Sequence, residues 1–106
     1  TVYEQLRRGI RYLDIRACRE TNKENPRFVA CHTLLGEDLD VVFGDVRRFL
    51  DESTQEIVVM HIGEFSGFSR TENSHMLLAS KIESIFGGLI LTPEIGLNRT
   101  YIELIE

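Results

Sequence analysis

The ten residues EIVVMHIGEF, Glu56 to Phe65, constrain the fold more than any other stretch of the chain. They are β-branched or otherwise apolar on both faces until His61 interrupts the run. A strand of that kind asks to be covered on both sides, the usual condition of a parallel strand in a βαβ unit. The sequence just before it supplies a covering helix. Leu39, Val42, Phe43, Val46, Phe49 and Leu50 recur at helical spacing, so one face of the helix is apolar along its whole length. Asp38, closing the Gly36-Glu37-Asp38 turn, is the expected N-cap, and Asp45, Arg47, Arg48, Asp51 and Glu52 fall largely on the wet side.

The rest of the chain fits the same alternation. TVYEQLRR, residues 1–8, is helix-compatible, with Val2 and Leu6 four apart and Gly9 where a C-terminal cap belongs. IRYLDIRAC, Ile10 to Cys18, reads as a strand. Its alternation sets Ile10, Tyr12, Asp14, Arg16 and Cys18 on one side and Arg11, Leu13, Ile15 and Ala17 on the other. A polar loop, Arg19 to Pro26, leads to a short strand, Arg27 to His32. After the third strand, SGFSRTENS is a loop, and a helix is expected over His75 to Phe86 with Leu78, Ile82, Ile85 and Phe86 as its stripe. Gly87-Gly88 ends it, and the remainder is a short extended piece, a Pro/Gly loop and a helical turn from near Asn98 or Thr100. The expected class is α/β. Three parallel strands with open edges make a poor stand-alone sheet, so the chain reads as one part of a larger α/β sheet or barrel.

Composition narrows the function. The chain has 106 residues, is 42% hydrophobic and 27% charged, and carries a formal charge of −5. That is one domain at most, with enough apolar residues for a core. The acidic balance argues against a nucleic-acid partner, which would ask for a basic face. Two cysteines are too few for a disulfide scaffold or a structural zinc site. No apolar run is long enough to span a bilayer as a helix.

Three polar side chains stand where apolar ones are expected: Asp14 and Arg16 on the first strand, and His32 closing the second. If these strands are parallel neighbours, their C-terminal ends share one rim, where α/β folds bind ligands. Arg16 offers a permanent charge and a planar donor fork suited to a phosphate or carboxylate. His32 offers a group that exchanges a proton near neutral pH, and Asp14 can fix the histidine or pair with the arginine. The set suggests acid–base chemistry on an anionic substrate. A salt bridge at the end of a sheet is the plainer reading of Asp14 and Arg16, and a satisfied rim residue that of His32.

GIRYLDIR (9–16), FVACHTLLG (28–36), DVRRFLDESTQEIVVM (45–60) and the GEF that follows resemble the X-domain of phosphatidylinositol-specific phospholipases C. The resemblance implies part of a distorted TIM-type (β/α) barrel, roughly strands 2 to 4 with their helices, with residues 1–106 as a partial X-domain. It implies cleavage of an inositol phospholipid, or its glycosylated anchor, to diacylglycerol and a cyclic inositol phosphate, which is lipid metabolism. Arg16 matches the arginine that binds the phosphoryl oxygens in the metal-independent branch; His32 matches the acid that protonates the departing glycerol oxygen; Asp14 matches an acidic position beside it. The calcium-dependent branch carries an acidic ligand in place of Arg16, so neither a metal nor a cofactor is expected. The family's general-base histidine lies upstream of Thr1, and the barrel's second half is also outside these residues, so the chain alone is expected to be inactive. Thr33 stands where Gly is usual after the histidine, and Gly63 at about the position where a relative carries Lys or Glu.

Other features bear on the same reading. His61 alternates with Val59 and Gly63; if that side is the barrel interior it lies near Arg16 and His32 and can add to the phosphate site, while a buried, hydrogen-bonded histidine is the plainer reading. His75 is expected to face solvent. His32, His61 and Asp14 could nominally hold a metal, but Arg16 beside them would repel it. Cys18 lies on the Arg16 face and Cys31 opposite His32, so the two are expected to diverge as free thiols, pointing mildly to a reducing compartment. The triplet Asn98-Arg99-Thr100 is a glycosylation sequon that points the other way. Localisation is therefore unassigned, with a peripheral membrane or cytoplasmic setting ahead of secretion. Phe65 and Phe68 would sit on the rim, where an aromatic can enter a bilayer interface. The expected partner is a membrane inositol lipid, and the intact protein is expected to be a monomer. The rivals are a catalytically dead inositol-phosphate or lipid-binding module, a metal-dependent glycerophosphodiesterase, and a structural α/β piece whose polar rim does no chemistry.

Overall fold

The computed structural model describes residues 1–20, 27–31, 36–66, 74–90 and 101–105. In chain order these form α1 (Val2–Arg7), β1 (Tyr12–Glu20), β2 (Arg27–Ala30), α2 (Leu39–Asp51), β3 (Ile57–Ser66), α3 (Ser74–Phe86), a short 3-10 turn (Gly87–Leu89) and β4 (Tyr101–Ile105). The helices begin and end where local chemistry requires. Thr1 caps α1 by accepting from the Glu4 amide, and the Glu4 side chain returns the bond, a capping box. Gly9 takes a left-handed φ of +109° just past the end of that helix. Asp38 caps α2 by accepting from the Asp40 amide at 2.8 Å.

The four strands make one sheet in the order β2-β1-β3-β4. β1, β3 and β4 are parallel, and α2 and α3 lie in sequence between them, so both connections are helical crossovers. Two expectations fail here. The Tyr101–Ile105 segment is a strand and not a helical turn. The pairing of β1 with β2 is antiparallel, with Ala17 opposite Ala30 and Glu20 opposite Arg27. A connection of six residues is short enough for a hairpin and too short for the crossover that parallel neighbours need.

All three helices cover one face of the sheet. Leu13, Ile15, Ala17, Val58, Met60 and Ile62 point toward them and join a single buried cluster with the α2 stripe, Val2 and Leu6 of α1, and Leu78, Ile82 and Phe86 of α3. Every residue of the expected α2 stripe is buried, and Phe43 meets Phe86 edge to face at 6.1 Å between ring centres. Arg11 ties the elements at one end. Its guanidinium donates to Glu56 and to the Leu6 carbonyl and lies over the Phe49 ring. The opposite face of the sheet is uncovered among the described residues: Tyr12 and Asp14 are exposed, and Val59 and His61 are half-buried. Among the described residues β3 is therefore covered on one side only, where its sequence asks for cover on both.

Candidate functional site

The uncovered face carries the polar residues. β1 and β3 run parallel in a register that sets Asp14 beside His61 and Arg16 beside Gly63. Alternation along each strand then turns Asp14, Arg16, His61 and Gly63 the same way. Asp14 is the hub: its Oδ2 accepts from the Arg16 guanidinium at 3.4 Å, and its Oδ1 lies 3.5 Å from His61 Nδ1. The three side chains are 46%, 41% and 38% exposed. Pairs this wet and this long add little to stability, on the order of 0–1 kcal/mol each. They can be approached from solution, and a cation beside an imidazole is a plausible receiver for an anionic group.

Gly63 keeps the space beside Arg16 low. Among the described residues a Cβ there would meet only His61 Cε1, at 3.9 Å, an ordinary contact. One step beyond Arg16 the β1–β3 register slips: Arg16 pairs with Gly63, but Cys18 pairs with Ser66. The extra residue on β3 makes a bulge, a common device for re-aiming side chains beside a site.

The far side of β1 differs most from expectation. Cys18 and Cys31 form a disulfide, with Cα atoms 5.7 Å apart, and are not free thiols. The register explains the error. In the antiparallel register Cys18 faces Val29, so Cys31, two residues on from Val29, shares the face of Cys18 and Arg16. Setting His32 on the Arg16 face, and so Cys31 on the other, puts Cys31 on the wrong side. The Cys31 amide also donates to the Arg16 carbonyl at 2.9 Å, which brings the end of β2 level with the site.

Of the residues expected to act, Asp14, Arg16 and His61 come together. His32 and Thr33 lie outside the described residues, as do Phe68 and the Asn98-Arg99-Thr100 sequon. His75 is exposed at the start of α3. Alternation within each strand makes the faces of Asp14 and His61 accessible to sequence reasoning, while their pairing rests on the β1–β3 register. Among the described residues no group of three or more His, Cys, Asp or Glu side chains is arranged to hold a metal ion.

Fold and site together define an α/β sheet with helices on one face and a carboxylate–guanidinium–imidazole cluster on the other. No protein-family model matches the chain. Curated proteins do. PI-PLC X domain-containing protein 1 of Homo sapiens is 33% identical over 93 residues, covering 84% of this chain and 27% of that protein. PI-PLC X domain-containing protein 2 of Mus musculus is 29% identical over 87 residues, covering 82% of this chain and 25% of that protein. Among solved structures, the phosphatidylinositol-specific phospholipase C of S. aureus superposes on 97% of this chain and 37% of its own, with a TM-score of 0.67 at 16% identity. The chain belongs to the PI-PLC X-domain family. It spans about a quarter of the length of the curated relatives it matches.

Proposed function

We propose that this chain supplies the phosphate-binding part of a phosphatidylinositol-specific phospholipase C, as a partial (β/α) barrel. Two features support the barrel. The parallel strands β1, β3 and β4 are neighbours in chain order, and their helices all lie on one face. A doubly wound sheet would carry helices on both faces, whereas a barrel wall has them outside and its strand residues inside. On this reading the uncovered face is the barrel interior, and residues 1–106 are one part of an X-domain.

The observation that carries the function is the meeting of Asp14, Arg16 and His61 on that inner face. In the proposed reaction the inositol 2-hydroxyl attacks phosphorus, the bond from phosphorus to the glycerol oxygen breaks, and a cyclic inositol phosphate and diacylglycerol leave. Arg16 binds the phosphoryl oxygens and stabilises the charge that builds on them. His32 gives its proton to the departing glycerol oxygen. Asp14 orients Arg16 through the 3.4 Å contact, and His61 adds a second polar group beside the phosphate. The group that takes the 2-hydroxyl proton is not assigned within this chain. The substrate is an inositol phospholipid met at a membrane surface, without a metal.

The test is turnover of phosphatidylinositol vesicles by the protein at its full natural length. Arg16→Ala is expected to lower kcat/KM by about 10²- to 10³-fold, the effect of removing one donor to a developing oxyanion. EDTA is expected to leave the rate unchanged. An Arg16→Ala protein with normal turnover overturns the role of Arg16, and strict calcium dependence overturns the metal-independent assignment.

A further inference from the structure

The disulfide between Cys18 and Cys31 stands apart from the chemistry just described, yet it lies against it. Cys18 is two residues from Arg16 on the same face of β1. Cys31 is opposite Arg16 across the antiparallel pair and donates its amide to the Arg16 carbonyl. The strand that Cys31 ends is short: β2 has four residues, all paired with the last four of β1. Beyond that ladder its end is held by the Ala30 amide bond to the Glu37 carbonyl, the Gly36 amide bond to the Ala30 carbonyl, the Val29–Asp38 bridge, the packing of Phe28 and Ala30 in the core, the Cys31–Arg16 bond and the disulfide. The residue that follows Cys31 is His32. Both cysteines are only half-buried, so a small reductant can reach them.

We infer that the Cys18–Cys31 disulfide is a redox-sensitive positioning element, which fixes the end of β2 against the strand bearing Arg16. The inference rests on the proposed roles of Arg16 and His32. Reduction by a small dithiol breaks one S–S bond. Two electrons and two protons pass to the sulfurs, giving the Cys18 and Cys31 thiols, and the dithiol closes to its own cyclic disulfide. The end of β2 then loses its covalent tie to β1 and keeps its backbone hydrogen bonds and the packing of Phe28 and Ala30; on the proposed reading the next residue, His32, is the proton donor whose positioning this tie serves.

Three measurements on the oxidised and dithiol-reduced protein test this. Alkylation under denaturing conditions, read by mass, should find neither of these two thiols before reduction and both after it; both thiols free beforehand overturns the proposal. Amide hydrogen exchange should quicken at least about tenfold at Ala30 and Cys31 while Val58, Met60 and Ile62 keep their protection. Unchanged exchange, or a rise across the whole sheet, overturns it. Turnover of phosphatidylinositol should fall roughly 10- to 100-fold on reduction and return on reoxidation. A nitrophenyl ester of inositol phosphate, whose leaving group departs without a proton, should be cleaved within about twofold of the same rate in both states. A merely structural bond would slow both substrates alike, and that result overturns the positioning role, as does undiminished lipid turnover. The Cys18→Ser/Cys31→Ser protein should match the reduced form and ignore the dithiol. If neither redox state turns over lipid, the proposed activity fails, and the exchange measurement alone decides the inference.

Discussion

The two faces of the sheet are made by the same strands and do opposite work. On the face under the helices, Ile15 and Met60 are almost completely removed from water, and each such side chain contributes about 1.5–3 kcal/mol by burial. On the other face Asp14 and His61, one residue away from each, keep more than a third of their side-chain surface in solvent. Their contacts contribute little to folding. Stability is thus gathered on one side of a single layer of backbone, and chemistry can vary on the other without endangering it.

Substitutions on the covered face should break that contrast at its strongest point. Phe43→Ala removes a fully buried ring and its edge contact with Phe86, and should lower stability by roughly 3–5 kcal/mol in a urea titration. A loss under about 1 kcal/mol would mean that the helix layer is not the seat of stability. The sharper comparison uses neighbours on β1. Ile15→Ala should cost roughly 2–5 kcal/mol, whereas Asp14→Asn should stay within about 0.5 kcal/mol of the parent. Equal losses for the two would erase the distinction between the faces.

The smallest effect concerns the tie at the end of the sheet. The hydrogen bond from Arg11 holds the Glu56 carboxyl below its usual range, against a smaller opposing effect of desolvation. A carboxyl with a lowered folded-state pKa lends stability that is fully present above its unfolded pKa and is lost as pH falls through the folded one. Glu56→Gln should therefore be slightly less stable than the parent at neutral pH. The difference should close below the ordinary carboxylate range, as followed by thermal midpoints across pH. A gap that persists in acid would show that the contact works through packing and not through charge.

Much of the covered face was legible in the sequence because periodicity is a direct imprint of burial. The Leu39-to-Leu50 stripe, the Asp38 cap and the split of β1 into Leu13/Ile15/Ala17 and Asp14/Arg16/Cys18 all follow from spacing. Strand direction leaves no such imprint. Arg27–Ala30 is apolar enough to suit either a parallel or an antiparallel neighbour, and the six-residue connection is the signal that decides it. Assigning His32 to the Arg16 face turned Cys31 away from Cys18 and hid the disulfide, which only the β1–β2 register reveals. Tyr101–Ile105 was missed for a related reason, since YIELI alternates as well for a strand as it packs for a helical turn. Within the candidate site, residue types and faces were readable, while the choice of Asp14 as the partner of His61 needed the β1–β3 register.

Because β2 is so short, the two borders of the sheet offer unequal docking room. Along β1 it occupies Ala17 to Glu20, and the Cys31 amide takes the Arg16 carbonyl, leaving Tyr12 to Ile15 as the stretch on that border with no strand alongside among the described residues. β4 has no outer neighbour among them along all five of its residues. A strand arriving next to β4 can zip along its whole length. One arriving next to β1 must be brief, or shifted toward the N-terminal end, so the sheet is built to be extended in a preferred direction.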